Sequence, residues 1–129
     1  MRRLLVLLLV ASVPACALFQ PAEIGHKFSV FFTERSAALD APAGAVIANA
    51  AALANQFPAF PVTVAGYSGA GGAAQAELDL AGRRAQAVET RLIADGVAQS
   101  RITRAVHAPI TYPATPLESH RVDISIGSP

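Results

Sequence analysis

The chain has 129 residues, with ten basic and nine acidic side chains and a net charge of +1 at pH 7. This near balance does not indicate a nucleic-acid surface, and the single cysteine, Cys16, excludes an intramolecular disulfide. The three histidines stand alone, without carboxylates or cysteines at ligand spacing, so the sequence predicts neither a metal site nor a cofactor.

Residues 1–16 have the pattern of an export signal. Arg2 and Arg3 precede the apolar run 4–10, which is too short to span a bilayer as a helix. Small residues follow, and the segment ending in Ala15-Cys16 resembles a bacterial lipobox, in which the cysteine is acylated and becomes the mature N-terminus. Ordinary cleavage close to Cys16 is the alternative.

Removal of the signal leaves enough residues for one compact domain. Residues 17–25 show no periodicity and are predicted to form a tether that reaches at most about 30 Å, at roughly 3.3–3.6 Å per residue. We therefore divide the chain into a lipoprotein signal peptide (1–16), a tether (17–25) and a domain (26–129).

Apolar periodicity in the domain predicts four strands and two helices, because period-two alternation marks strands and a 3.6-residue stripe marks helices. Asp40 is a candidate N-cap for the first helix, Pro58 ends that helix, and Gly96 ends the second. The strands are predicted at residues 26–32, 61–67, 103–108 and 119–126, and the helices at about 42–57 and 75–95. The order βαβαββ predicts an α/β fold of two layers.

The segment 61–88 runs from a β-branched strand through a glycine-rich loop into the second helix. A strand, a permissive loop and a helix N-terminus are a common arrangement for binding a small polar ligand, because the loop and the helix present backbone N–H groups. We expect the functional site here.

Several stretches together resemble the OmpA-like C-terminal domain, and with Cys16 the architecture is similar to that of the peptidoglycan-associated lipoproteins of Gram-negative outer membranes. The resemblance implies a mixed sheet with both helices on one face, an α+β sandwich. The stretches are Phe31-Phe32-Thr33, Val62-Thr-Val-Ala-Gly-Tyr67, Leu80-Ala-Gly-Arg-Arg-Ala-Gln-Ala-Val88, Gly96-Val-Ala-Gln-Ser-Arg-Ile102 and Ser119-His-Arg-Val-Asp-Ile124.

The resemblance implies non-covalent binding to the diaminopimelate of peptidoglycan, a group that bears an ammonium and a carboxylate. Arg84 matches the family's arginine, a guanidinium fork suited to the carboxylate. The position of the family's aspartate is Gly69 here, and its neighbours Tyr67 and Ser68, as well as Glu77, also differ from the residues usual in the family. The expected ligand-binding set is Tyr67, Ser68, Gly69, Glu77 and Arg84. Because a charged hydrogen bond contributes about 1.5–3 kcal/mol, loss of that aspartate predicts binding weakened roughly ten- to hundred-fold.

The resemblance also implies an outer-membrane lipoprotein that is anchored by lipid at Cys16, has its domain in the periplasm and is not an enzyme. One alternative is a structural module that has kept the fold, lost peptidoglycan binding and docks another envelope protein. A third reading is a small hydrolase, because residues 66–70 resemble a nucleophile elbow around Ser68, followed in order by Asp95 and His107. Residues 69–74 also fit a dinucleotide fingerprint, although Asp95 sits at a helix end rather than at a strand tip.

Overall fold

The computed structural model describes residues 25–69, 73–107 and 119–127. The predicted signal peptide and all of the predicted tether except Gly25 lie outside the described residues, as do residues 70–72 of the predicted glycine-rich loop and residues 108–118. The order βαβαββ is confirmed, with a single 3₁₀ turn before the third strand. The elements are β1 (His26–Phe31), α1 (Ala41–Gln56), β2 (Val62–Gly66), α2 (Ala74–Ala94), β3 (Ile102–Val106) and β4 (Arg121–Ile126).

The four strands form one mixed sheet in the order β1-β4-β2-β3. β2 and β3 are parallel and are joined across α2, whereas β4 is antiparallel to both of its neighbours, β1 and β2. Because β4 runs against both, β1 and β2 point the same way, and their carboxyl ends meet the start of β4 at one end of the sheet.

Both helices pack on the same face of the sheet, as the resemblance implied. The strands alternate, and the residues on this face are fully buried in one cluster with the apolar stripes of both helices. The shared core residues include Val30, Val62, Val64, Val122, Ile124 and Ile126 from the strands, Ile47, Ala50 and Ala54 from α1, and Ala85, Val88 and Leu92 from α2. The opposite face of the sheet, which we call the open face, carries neither of these two helices, nor any other helix of the described ranges.

Local capping sets the helix ends that the sequence predicted. The Asp40 side chain accepts a hydrogen bond from the Ala43 N–H (2.8 Å), so it is the N-cap of α1. At the end of α2, Gly96 has φ +99°, and the N–H of Val97 reaches back to the Leu92 carbonyl, which is the Schellman pattern. No helix in the described ranges has the length and apolar content needed to cross a membrane.

Arg101 closes the connection between α1 and β2. Its Nε and Nη2 donate to the carbonyl oxygens of Ala54, Phe57 and Phe60 at 2.8–3.2 Å. These carbonyls lie at and beyond the end of α1, and those of Ala54 and Phe57 also accept backbone N–H bonds, from Phe57 and Phe60. Arg101, which belongs to the family-like stretch 96–102, is therefore a structural cap for the end of α1.

Helix α2 lies very close to the sheet at Gly66 on β2. A Cβ built there would overlap the backbone carbonyl oxygen of Ala81 and would lie 3.2 Å from the Ala85 side chain. Gly82, one residue further along α2, has room, because a Cβ there would have its nearest neighbour at 3.9 Å, on Val106. The two glycines thus serve different purposes, and only Gly66 is required by packing.

We predict that Gly66→Ala lowers the free energy of unfolding by about 1–3 kcal/mol, because α2 must move away from β2. The matched change Gly82→Ala should raise it by about 0.5–1 kcal/mol, because alanine is the better helix former at an unhindered site. Urea unfolding of both variants checks this, and equal effects of the two changes would contradict the proposed close packing.

Candidate functional site

A cavity of about 320 Å³ opens at the end of the sheet where β1 and β2 finish. Three separate segments meet there: the turn after β1, the end of β2 with the first turns of α2, and the residue before β4. Apart from Ala76 and Leu80, its lining residues are Glu34, Arg35, Gly69, Glu77, Arg83 and His120. We call this the charged cavity, because both signs of charge face one small volume.

The turn 33–36 supplies two of these charges. The Ser36 N–H bonds to the Thr33 carbonyl (3.1 Å), which leaves Glu34 and Arg35 at the two central positions. Arg35 has φ +59° and is the one residue other than glycine in the described ranges with a positive φ. Glycine or asparagine is the usual occupant of such a position, so the surrounding structure must hold Arg35 in place.

Arg84 provides that hold from α2. Its side chain is fully buried, Nε donates to the Ser36 carbonyl (2.8 Å), and Nη2 donates to the Thr33 carbonyl (3.0 Å). The guanidinium also lies over the Phe32 ring, 5.4 Å from its centroid. Burial lowers the pKa of Arg84. The charge of Glu77 raises this pKa and the charge of Arg83 lowers it, both by less than burial does.

The structure divides the predicted ligand-binding set into three groups. Gly69 and Glu77 line the charged cavity. Arg84 and Ser68 are fully buried behind it, and neither the Arg84 Nη1 nor the Ser68 Oγ makes a hydrogen bond. Tyr67 lies on the open face of the sheet, because side chains alternate from Gly66 onward. For Arg84 to meet a ligand directly, as predicted, its guanidinium would have to leave the turn.

The residues of the hydrolase reading are not brought together. Ser68 is buried on the helix side of the sheet, whereas His107 stacks on Tyr67 on the open face. Asp95 follows the far end of α2, about 30 Å from the helix start by the rise of 1.5 Å per residue. Asp95 is also paired with Arg91, one turn earlier on α2.

Four polar lining residues of the charged cavity were not predicted as site residues: Glu34, Arg35, Arg83 and His120. The sequence predicts a surface pair between Arg83 and Asp79, and that prediction is wrong, because Asp79 accepts a hydrogen bond from Gln75 (3.0 Å) and Arg83 faces the cavity. The sequence did contain a signal for the two charged residues of the turn, Glu34 and Arg35. Charged residues directly after β1 lie at the same sheet end as the glycine-rich loop if β1 and β2 are parallel.

The open face carries a separate polar row across the strands. Tyr67 stacks on His107 with ring centroids 4.6 Å apart, and the Arg121 guanidinium lies 4.6 Å from the Tyr67 centroid. Next to them the buried carboxylate of Asp123 accepts hydrogen bonds from Ser29 Oγ (2.7 Å) and Arg121 Nε (3.2–3.3 Å).

Lys27 Nζ also pairs with Asp123, at 3.0 Å. Burial by itself raises the pKa of Asp123, but the hydrogen bonds from Ser29, Lys27 and Arg121 outweigh burial and leave the pKa lowered. A shallow cavity of about 660 Å³ lies over this row. Across the described residues of the chain, no three His, Cys, Asp or Glu side chains are grouped as metal ligands would be.

Both the sequence and the fold are similar to those of known proteins. The OmpA family model matches residues 31–121. The fold is similar to the peptidoglycan-associated lipoprotein from Burkholderia pseudomallei (20% identity, TM-score 0.70), over 77% of this chain and 89% of that one.

The fold is also similar to the OmpA-like domain of FopA1 from Francisella tularensis (21% identity, TM-score 0.72; 81% of this chain, 73% of that one). A third similar structure is the periplasmic domain of Helicobacter pylori MotB, residues 90–256 (18% identity, TM-score 0.68; 81% of this chain, 74% of that one). A search of curated protein sequences gives no match.

The polar row around Asp123 should make the protein less stable at acid pH. A carboxyl whose pKa is lower in the folded state contributes stability above its unfolded pKa of about 3.9, and this contribution is lost as pH falls through the lower folded value. We predict that Asp123→Asn lowers the free energy of unfolding by about 2 kcal/mol at pH 7 and removes this part of the pH dependence.

Urea unfolding between pH 7 and pH 3 measures both effects. Asp79→Asn is the control, because that exposed carboxylate bonds only to Gln75 and its removal should leave the profile of the wild type. An unchanged acid profile in Asp123→Asn would contradict the account of the open face.

Proposed function

The chain belongs to the OmpA family, and on that premise we propose that it is a non-enzymatic module that binds peptidoglycan non-covalently in the periplasm. One observation carries the proposal: the charged cavity lies where the strand–loop–helix segment meets the turn after β1, with Gly69 and Glu77 in its lining. A solved structure of similar fold is a peptidoglycan-associated lipoprotein, and another is a periplasmic domain.

The ligand we propose is the diaminopimelate of the stem peptide. Its free end bears an ammonium and a carboxylate, and a site for it needs both signs of charge within a few ångströms. The charged cavity offers glutamates and arginines together, and Glu77 lies in the first turn of α2, where the helix dipole favours a carboxylate.

Weakened affinity follows from Gly69. A glycine at the position of the family's aspartate removes one charged hydrogen bond, which corresponds to roughly ten- to hundred-fold in the dissociation constant. Restoring the carboxylate is constrained by packing, because a Cβ at Gly69 would lie 3.0 Å from the Ser119 Oγ. The serine hydroxyl would have to move to admit it.

We further propose that Cys16 is acylated and holds the protein at the outer membrane. More than one acyl chain is needed for stable anchoring, since each buried CH₂ contributes about 0.8 kcal/mol. A tether of residues 17–25 would keep the domain within about 30 Å of the bilayer surface.

A second candidate function is a scaffold that keeps the fold without the ligand and docks another envelope protein. Two observations favour it: Gly69 lacks the carboxylate, and the guanidinium of Arg84 is bonded to the turn 33–36. Binding to the cell wall separates the two candidates.

We predict that Gly69→Asp combined with Ser119→Ala strengthens binding to purified sacculi about ten- to hundred-fold over the wild type. The alanine removes the hydroxyl that a side chain at position 69 would meet. Co-sedimentation with sacculi over a range of protein concentrations gives the dissociation constants.

Ser119→Ala alone is the control for this gain and should bind as the wild type does. If the full chain fails to sediment with sacculi and the double variant gains nothing, the scaffold is the better reading and the peptidoglycan proposal is wrong.

Lipid anchoring predicts that Cys16→Ser moves the protein from the membrane fraction to the soluble periplasmic fraction. It should also abolish incorporation of labelled palmitate, because the acylated thiol is gone. Retention of the variant in the membrane fraction would contradict anchoring through this residue.

A further inference from the structure

The two ends of the sheet differ in what they carry. The first row of the sheet joins His26, Ile126, Val62 and Ile102, so the start of β1 lies beside the starts of β2 and β3. Both helices run back from the charged cavity, and their last residues therefore lie at this same end. We call it the tether end, because the predicted tether leads into β1 there. The six residues of β1 separate it from the cavity by about 20 Å, at roughly 3.3 Å per residue.

The tether end presents an aromatic side chain on a fixed loop. Phe57 directly follows α1 and is 39% exposed. Its ring stacks on Phe60, with ring centroids 5.4 Å apart, and Phe60 packs against the core. Arg101 Nη2 donates to the carbonyls of both phenylalanines at 2.8–2.9 Å, so the loop is held to the rest of the fold. Ile93, in the last turn of α2, is a second exposed hydrophobic side chain at this end.

Acidic side chains are distributed unevenly between the two ends. Four of those in the described residues lie at the cavity end: Glu34, Asp40, Glu77 and Asp79. The other three are each paired with a basic side chain, as Asp95 with Arg91, Asp123 with Lys27 and Glu89 with Arg104. Arg101 adds a positive charge at the tether end, because its partners are carbonyl groups. Among the described side chains, none therefore opposes the approach of this end to anionic lipid headgroups.

We propose that the tether end docks on a phospholipid bilayer surface, with Phe57 and Ile93 at the level of the headgroups. The inference rests on the proposed acylation of Cys16, which brings this end to the bilayer through a tether of at most about 30 Å. Apolar side chains in such a position gain by leaving water for the boundary between headgroups and acyl chains. Docking turns the charged cavity, at the opposite end, away from the bilayer.

Exposure of a single phenylalanine is ordinary in soluble proteins and carries no weight alone. What distinguishes Phe57 is its position at the end that the acyl anchor reaches. Phe31 provides the comparison within the same chain, because it is 43% exposed but lies at the cavity end, where β1 finishes. The two phenylalanines match in size and exposure and differ in their distance from the tether.

The experiment uses tryptophan fluorescence, since the chain contains no tryptophan. Ile93→Trp and Phe31→Trp are each prepared in the full, acylated protein and reconstituted into vesicles of phosphatidylethanolamine and phosphatidylglycerol that contain lipid brominated high on the acyl chain. Ile93→Trp should emit at shorter wavelength than in detergent-free buffer and be quenched by the bromine, at a depth of about 5–10 Å. Phe31→Trp should show neither effect. Equal quenching in the two variants would overturn the docking.

The contribution of Phe57 is measured in the Ile93→Trp background. Phe57→Ser should lower the quenching to the level of Phe31→Trp, because the domain then moves freely on its tether. Phe57→Leu keeps an apolar side chain and should retain the quenching, which separates loss of lipid contact from loss of the Phe57–Phe60 stack. Quenching that Phe57→Ser leaves unchanged would overturn the assignment of Phe57.

The docking and the proposed function fail in different ways. Quenching in Ile93→Trp without retention of the chain on sacculi would keep the docking and reject peptidoglycan binding. A chain that is acylated and held in the vesicles but is quenched equally at positions 93 and 31 would keep the anchoring and reject the docking. A chain without an acyl group on Cys16 would reject the anchoring and the docking together, and co-sedimentation with sacculi would still decide peptidoglycan binding.

Discussion

The guanidinium of Arg84 holds together the end of the molecule where the candidate site lies. The segment between β1 and α1 has no regular secondary structure, so its carbonyls need donors from elsewhere in the fold. Arg84 supplies two of them from α2 across 48 and 51 residues of sequence. A buried arginine is tolerated because its planar fork bonds to fixed acceptors and its face rests on Phe32.

The same arrangement recurs at Arg101, which bonds to carbonyls in the last turn of α1 and just beyond it. In both places an arginine from a later segment fixes a loop that precedes it in sequence. The two differ in what the loop carries. The α1–β2 connection presents no charged side chain, whereas the turn 33–36 presents Glu34 and Arg35 to a cavity. Rigidity of the turn 33–36 therefore has consequences for ligand binding as well as for stability.

The fold could be predicted from the sequence because its signals are local. Asp40 and Gly96 mark helix ends by their own chemistry, and alternation in β4 marks a strand with one buried face. The direction of Arg84 could not be predicted, since a helix position fixes where a side chain leaves the backbone but not which carbonyls lie within reach. The same limit explains Arg83. Its i,i+4 spacing from Asp79 satisfied a helix rule, but Asp79 is bonded to Gln75 instead. Of the candidate site, its place in the fold was predictable, and most of its charges were not.

The position of β4 has a consequence for how the molecule reaches its native state. This strand is the last described element along the chain, yet it occupies an interior place in the sheet, bonded to β1 on one side and β2 on the other. Until it inserts, β1 pairs with no other described strand and stays separate from the β2–β3 pair. The contacts that complete the core join residues nearly a hundred positions apart, an entropic cost that slows folding. A chain still emerging from the ribosome therefore cannot complete this sheet until β4 has been released.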